Sequence, residues 1–156
     1  MKTRRSFAQG TDVSVAKSRT EIDTMLTRNG ATSIGSLWSR DGAILVFEMK
    51  GRKIKLTLPL PDPNDPIFKK DGRGTWNDAQ RVAAYDAECR RRWRTLKLVI
   101  QSKMESVESG VETFDQCWLS HIMAPDGQTV GESMIPQLVR AYREGVAMPL
   151  LLGKGG

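Results

Sequence analysis

Histidine occurs once in these 156 residues, as His121, and cysteine twice, as Cys89 and Cys117. Two thiols do not make a disulfide framework, and one imidazole leaves no set of partners for a metal or a Cys-His dyad. No apolar run approaches the roughly 20 residues of a membrane span. The basic start Met1-Lys2-Thr3-Arg4-Arg5-Ser6-Phe7 lacks the apolar stretch that an export signal needs behind it, so a cytoplasmic protein with no membrane contact is expected. A glycine-rich phosphate loop is also missing, because Gly72-Arg73-Gly74 has neither the spacing nor the lysine. Asp62, Asp65 and Asp71 with Glu48 offer oxygens for Mg²⁺, but the prolines around them make turn chemistry the simpler account. Neither a cofactor nor an enzymatic activity is expected.

What the chain does have is positive charge, +6 overall and unevenly spread. Residues 1–19 hold five basic and one acidic side chain, and residues 50–76 hold seven against three. Residues 77–110 hold seven against five, while 111–156 reverse to three against five. Such asymmetry speaks about partners, not about fold.

The organising stretch is Asn77 to Gly110. Val82, Tyr85, Cys89, Trp93, Leu96, Ile100, Met104 and Val107 recur at steps of three and four, the period of one helix face. Asn77-Asp78-Ala79-Gln80 reads as a capping box and Gly110 as the stop. The spacing predicts Trp93 in the core and Cys89 as a small buried hydrophobe. Leu98 and Val99 fall off the stripe and suggest a second buried side, as in a homodimer.

Around this helix, Asp12-Val13-Ser14-Val15 alternates like a short strand. Ser18-Arg19-Thr20-Glu21 reads as the capping box of a helix ending at Asn29-Gly30. Residues 34–38, 43–49 and 52–60 carry strand signals, and a two-residue loop at Lys50-Gly51 pairs Phe47 with Ile54 and Leu45 with Leu56. The other face then sets Glu48 opposite Lys53, Val46 opposite Lys55 and Ile44 opposite Thr57. The proline-rich run from Pro59 ends the sheet and opens a loop reaching Trp76. Two further boxes, at Thr113–Gln116 and Thr129–Glu132, start shorter helices. The second helix should kink at Pro136 or begin near Ser133. The expected fold is α+β: a β-α-β-β-β meander sheet packed on one long helix, followed by two shorter C-terminal helices. Residues 1–10 form a basic flexible arm, 11–152 a single α+β domain and 153–156 a mobile tail.

Several segments together resemble a family of small uncharacterised proteins from tailed bacteriophages and prophages. They are Ser18–Ile22, Asn29–Thr32, Val107–Phe114, His121–Gly131 and Ile135–Leu138. The resemblance covers nearly the whole chain; its motifs are mostly caps, turns and core positions and assign no catalytic residue. The resemblance implies an early-region product acting in the cytoplasm of the bacterial host, in DNA replication, recombination or defence.

Two function classes remain. The first is nucleic-acid binding, to DNA in particular. Arg90, Arg94 and Lys97 share one flank of the long helix, with Arg91 further round. Lys50, Arg52, Lys53 and Lys55 come from the hairpin, and Lys69, Lys70, Arg73 and Trp76 from the loop. Spaced cations neutralise phosphates through counterion release, and Phe68 and Trp76 offer stacking surfaces. The second class is a protein inhibitor that masks a host protein complex through the same helix flank or the acidic C-terminal segment.

Overall fold

Alternation of apolar and polar residues from Ala43 to Leu58 builds the sheet. The computed structural model describes residues 9–39, 41–71 and 74–148. Strands β1 (Ser33–Trp38), β2 (Gly42–Met49) and β3 (Arg52–Pro59) form an antiparallel meander in the order β1-β2-β3. Phe47 stands opposite Ile54, Leu45 opposite Leu56, Glu48 opposite Lys53, Val46 opposite Lys55 and Ile44 opposite Thr57, as the period-two pattern requires. Lys50 and Gly51 both take positive φ, 51° and 71°, the signature of a tight turn whose twist matches its strands. One face presents Ala43, Leu45, Phe47, Met49, Ile54, Leu56 and Leu58 to the core, all buried. The opposite face stays open, with Leu37 73% exposed beside half-buried Ile44 and Val46.

The expected strand at Asp12–Val15 is not formed. Helix α1 runs unbroken from Gln9 to Arg28, so the class remains α+β but the order begins with a helix. Val15, Ile22 and Leu26 are spaced by seven and four, lie on one helical face and are all but inaccessible. That stripe outweighs four residues of alternation. Ser18 therefore sits inside the helix and caps nothing. Gly30, at φ 92°, ends α1, and the Ala31 amide donates to the Leu26 carbonyl at 3.0 Å.

After β3 the chain makes a 3₁₀ turn, Pro66–Phe68, and a two-stranded ribbon of β4 (Lys70–Asp71) and β5 (Gly74–Thr75). Helix α2 (Asp78–Glu108) follows, with Asn77 and Gln80 closing a reciprocal capping box and Gly110 at φ 76° beyond its end. Cys89, Trp93, Leu96, Ile100 and Met104 are buried, so the apolar stripe belongs to this chain's own core. Leu98 and Val99 remain exposed, and the second buried side is not seen within the chain. α1 lies alongside α2 in the same direction, its residues 17–28 beside residues 97–108. The open groove between them, about 780 Å³, carries Lys17, Arg28 and Lys97 against Glu21, Glu105 and Glu108, a balanced set.

Helix α3 (Phe114–Trp118) is capped by Thr113 with Gln116 and passes into a 3₁₀ turn, Leu119–His121. Trp118 is fully buried, edge-on to Phe47 at 5.4 Å. The chain then runs along the free edge of β3, where Ile122 bridges Ile54 and the Met123 amide donates to the Lys53 carbonyl. Helix α4 (Val130–Glu144) begins at its Thr129–Glu132 box, earlier than the proline suggested, and continues through Pro136. The Gln137 side-chain amide donates to the Ser133 carbonyl one turn back. α4 leaves Ile135, Leu138, Val139 and Tyr142 exposed, the last at 83%.

Candidate nucleic-acid interface

Charge pairing divides the expected basic residues into two groups. Lys97 Nζ donates to Glu21 Oε2 at 2.6 Å and fastens α2 to α1. Arg52 makes two parallel contacts to Asp115, Nε–Oδ1 and Nη2–Oδ2, each 3.2 Å, a fork that locks the hairpin tip to α3. Lys55 donates to Glu132 at 2.8 Å and ties the first turn of α4 to β3. Arg91 grips Glu88 with two bonds of 2.7 Å, while Arg92 donates to Glu88 at 2.9 Å and to the Pro59 carbonyl at 2.7 Å. With two guanidinium groups on it, Arg91 first and then Arg92, the Glu88 carboxyl is held down at about 2. These cations serve the fold, and their charge is answered within the chain.

Arg90, Arg94, Lys53 and Lys69 have no ion-pair partner among the described residues. Lys50 lies with its ammonium 5.7 Å from the Phe114 ring centre. Lys70 is placed by its backbone in β4; its side chain and Arg73 lie outside the described residues. Trp76 is half-buried, and its amide donates to the Lys69 carbonyl. Phe68 is buried edge-on to Tyr85 at 5.8 Å, so it is a core residue and not a stacking surface.

The helix flank and the hairpin tip do not border one surface. Arg92 meets the end of β3 at Pro59. Lys103, three turns further along α2, reaches the Cys117 carbonyl beside Trp118, on the hairpin side. α2 therefore runs antiparallel to β3. Arg90 and Arg94 stand at one end of the sheet, and Lys50 and Arg52 at the other. At about 3.3 Å per residue, β3 alone separates the ends by roughly 23 Å. A strand slants across the molecule in one direction only, and helical spacing on α2 carried no information about that direction.

Sequence reasoning missed the aromatic side of the arginine end. Trp38, at the end of β1, is 39% exposed and tilts against Trp93 with ring centres 5.6 Å apart. The Arg19 guanidinium lies over Trp38 at 5.5 Å, and its Nη2 donates to Ser36 Oγ at 2.8 Å. The one available signal was a large aromatic closing a strand before the Ser39-Arg40-Asp41-Gly42 turn.

The acidic candidates whose side chains are described do not assemble, and the Asp71 side chain lies outside the described residues. Asp62 accepts from the Asn64 amide and Asp65 from the Ile67 amide, both short-range turn bonds. Glu48 belongs to the hairpin end of the sheet, opposite Lys53. Among the described residues no group of three His, Cys, Asp or Glu side chains is arranged to hold a metal, and no helix is long and apolar enough to cross a membrane. Burial raises both thiols above the ordinary range and lowers the His121 imidazole, aided there by Lys103.

Fold and site together define an α+β protein whose described residues include an unanswered cationic flank on its long helix. No protein-family model, no curated protein and no solved structure matches the chain.

Proposed function

We propose that this is a nucleic-acid-binding accessory protein for DNA replication or recombination, of the kind that tailed phages encode, acting in the cytoplasm of the bacterial host. It holds phosphate backbone through the Arg90–Arg94 flank of α2. The observation that carries the reading is that Arg90 and Arg94 lack an ion-pair partner among the described residues while neighbouring Arg91, Arg92 and Lys97 are paired. A fold that answers three cations and leaves two beside them retains charge for an outside anion. The resemblance to phage early-region products and the net charge of +6 support it. Binding, not catalysis, is the proposed activity.

The test is a salt titration of DNA binding by the parent and an Arg90→Glu/Arg94→Glu variant. The variant should bind all sequences more weakly, with a salt slope flatter by about one unit per lost phosphate contact. A folded variant that binds DNA as the parent does, or a parent that binds none at low salt, removes the reading.

The exposed face of α4 favours a second reading. Ile135, Leu138, Val139 and Tyr142 present a contiguous apolar strip, the kind of surface that marks protein contacts. In that reading the protein is a phage anti-defence inhibitor, and the strip docks on a host protein complex with an affinity that changes little with salt. A homodimer is the third element of the proposal, with Leu98 and Val99 as its contact residues on α2. Sedimentation at several concentrations measures it.

A further inference from the structure

Resting on the nucleic-acid reading, we infer that Trp38 is a stacking platform for an unpaired nucleobase, which makes the ligand single-stranded nucleic acid. Trp38 is the one indole at the arginine end that is both ordered by packing and open to solvent. Trp93 beneath it is 2% exposed and fixes its tilt, at 54° between ring planes. The strand carries Trp38 on the core side of the sheet, in the row Trp38–Ala43–Leu58, so its ring is held at the mouth of the core and not on a free loop.

One cation lies over this ring, and two more neighbour its partner Trp93 in sequence. Arg90 and Arg94 lie three residues before and one residue after Trp93 on α2. Arg19 comes from α1, two residues from the Glu21 that Lys97 secures. None of the three has an ion-pair partner among the described residues. Arg19 occupies the indole face in the free protein, and its other tie is a single bond to the exposed Ser36 hydroxyl. An exposed cation–π contact of this sort is weak. A nucleobase, which presents a flat face to the ring, replaces the guanidinium. Arg19 then swings to the adjoining phosphate. One cation–π contact is exchanged for one base stack and one charge-assisted bond, with no rearrangement of the fold.

Duplex DNA hides its base faces, so only the arginines contribute to its binding. This separates the platform from the general phosphate contacts. The experiment measures binding of a fluorescent twelve-residue oligothymidylate and of a twelve-base-pair duplex at one fixed salt concentration, for the parent and for Trp38→Leu. Leucine keeps an apolar cover on Trp93, and thermal unfolding confirms that the variant is folded. Trp38→Phe retains a smaller ring and provides rescue.

The expected result is a loss of about tenfold or more for the single strand in Trp38→Leu, partial recovery in Trp38→Phe and an unchanged duplex affinity. If the parent binds both ligands and Trp38→Leu weakens neither, or weakens both alike, the platform is overturned while the phosphate reading stands. If the parent binds neither ligand at low salt, both fall.

Discussion

Lys97 donates to Glu21 across the α1–α2 seam at 2.6 Å, and this bond sets what a charge at position 97 can do. The ammonium lowers the Glu21 carboxyl below its usual range, chiefly through that hydrogen bond. A cation engaged in this way is a tie between helices before it is a phosphate ligand. Lys97→Ala and Glu21→Ala should each lower the melting temperature slightly, and the double variant by less than the two together. Added salt should shrink the difference, because the pair is partly open to solvent. Additive melting shifts would show that the bond contributes nothing.

Glu88 predicts a loss of stability in acid. Its folded carboxyl titrates at about 2, against an ordinary value of 4.5. Between those values the unfolded chain binds the proton and the folded chain resists it. The contribution is therefore fully present above about pH 4.5 and disappears as the pH falls towards 2. Glu88→Gln should unfold more easily at neutral pH and show a flatter stability profile across that window. Chemical denaturation at several pH values measures both. An unchanged profile would mean that Arg91 and Arg92 do not hold the carboxylate.

Parts of this molecule could be read from residues alone. The β2–β3 hairpin was legible because its two faces separate by chemistry at every second residue, and a one-residue slip would bury Lys53 and Lys55. α2 was legible because its stripe and both ends agree. The first helix was not, because Asp12-Val13-Ser14-Val15 fits two periods and only burial of Val15 with Ile22 decides between them. The site was least legible. Arg52–Asp115 and Lys55–Glu132 join residues 63 and 77 positions apart. No local pattern says which cations will find such partners, or that Trp38 will lie under Arg19.

Cys89 and Cys117 should be dispensable for binding. Both are buried and burial raises both thiols, so neither is a thiolate at neutral pH. Cys89→Ala should cost about 1–3 kcal/mol for the volume lost beside Trp93. A double Cys→Ala variant should bind as the parent does once both are compared below their melting temperatures. Lost binding in a folded double variant would assign a thiol a role that its burial denies.

Lys50 holds a left-handed backbone at φ 51°, where asparagine is more at ease before glycine. Lys50→Asn should therefore stabilise the hairpin, by up to about 1 kcal/mol. The lost contact between Lys50 and the Phe114 ring works against that gain. A denaturant midpoint that falls would mean the ring contact is the larger of the two. Lys50→Ala removes the same contact without relieving the backbone, so comparing it with Lys50→Asn separates the terms.

Gly131 decides how α4 sits on the body. It is buried in the first turn, and a Cβ built there would lie 2.7 Å from the Ser120 carbonyl oxygen and 3.2 Å from the Ser120 Cβ. In an open helix, glycine to alanine gains about 1 kcal/mol through propensity. Here the methyl meets backbone that bonding around Ile122 and Val130 holds in place, so the helix must move. Overpacking of this kind costs about 1–3 kcal/mol, which exceeds the propensity gain. Gly131→Ala should therefore lower stability. It should also weaken the Lys55–Glu132 tie and speed amide exchange in α4, while α2 and the hairpin exchange at parent rates. A variant more stable than the parent would mean that α4 is not seated against Ser120, and the exposed strip from Ile135 to Tyr142 would then have no fixed orientation for a partner to meet.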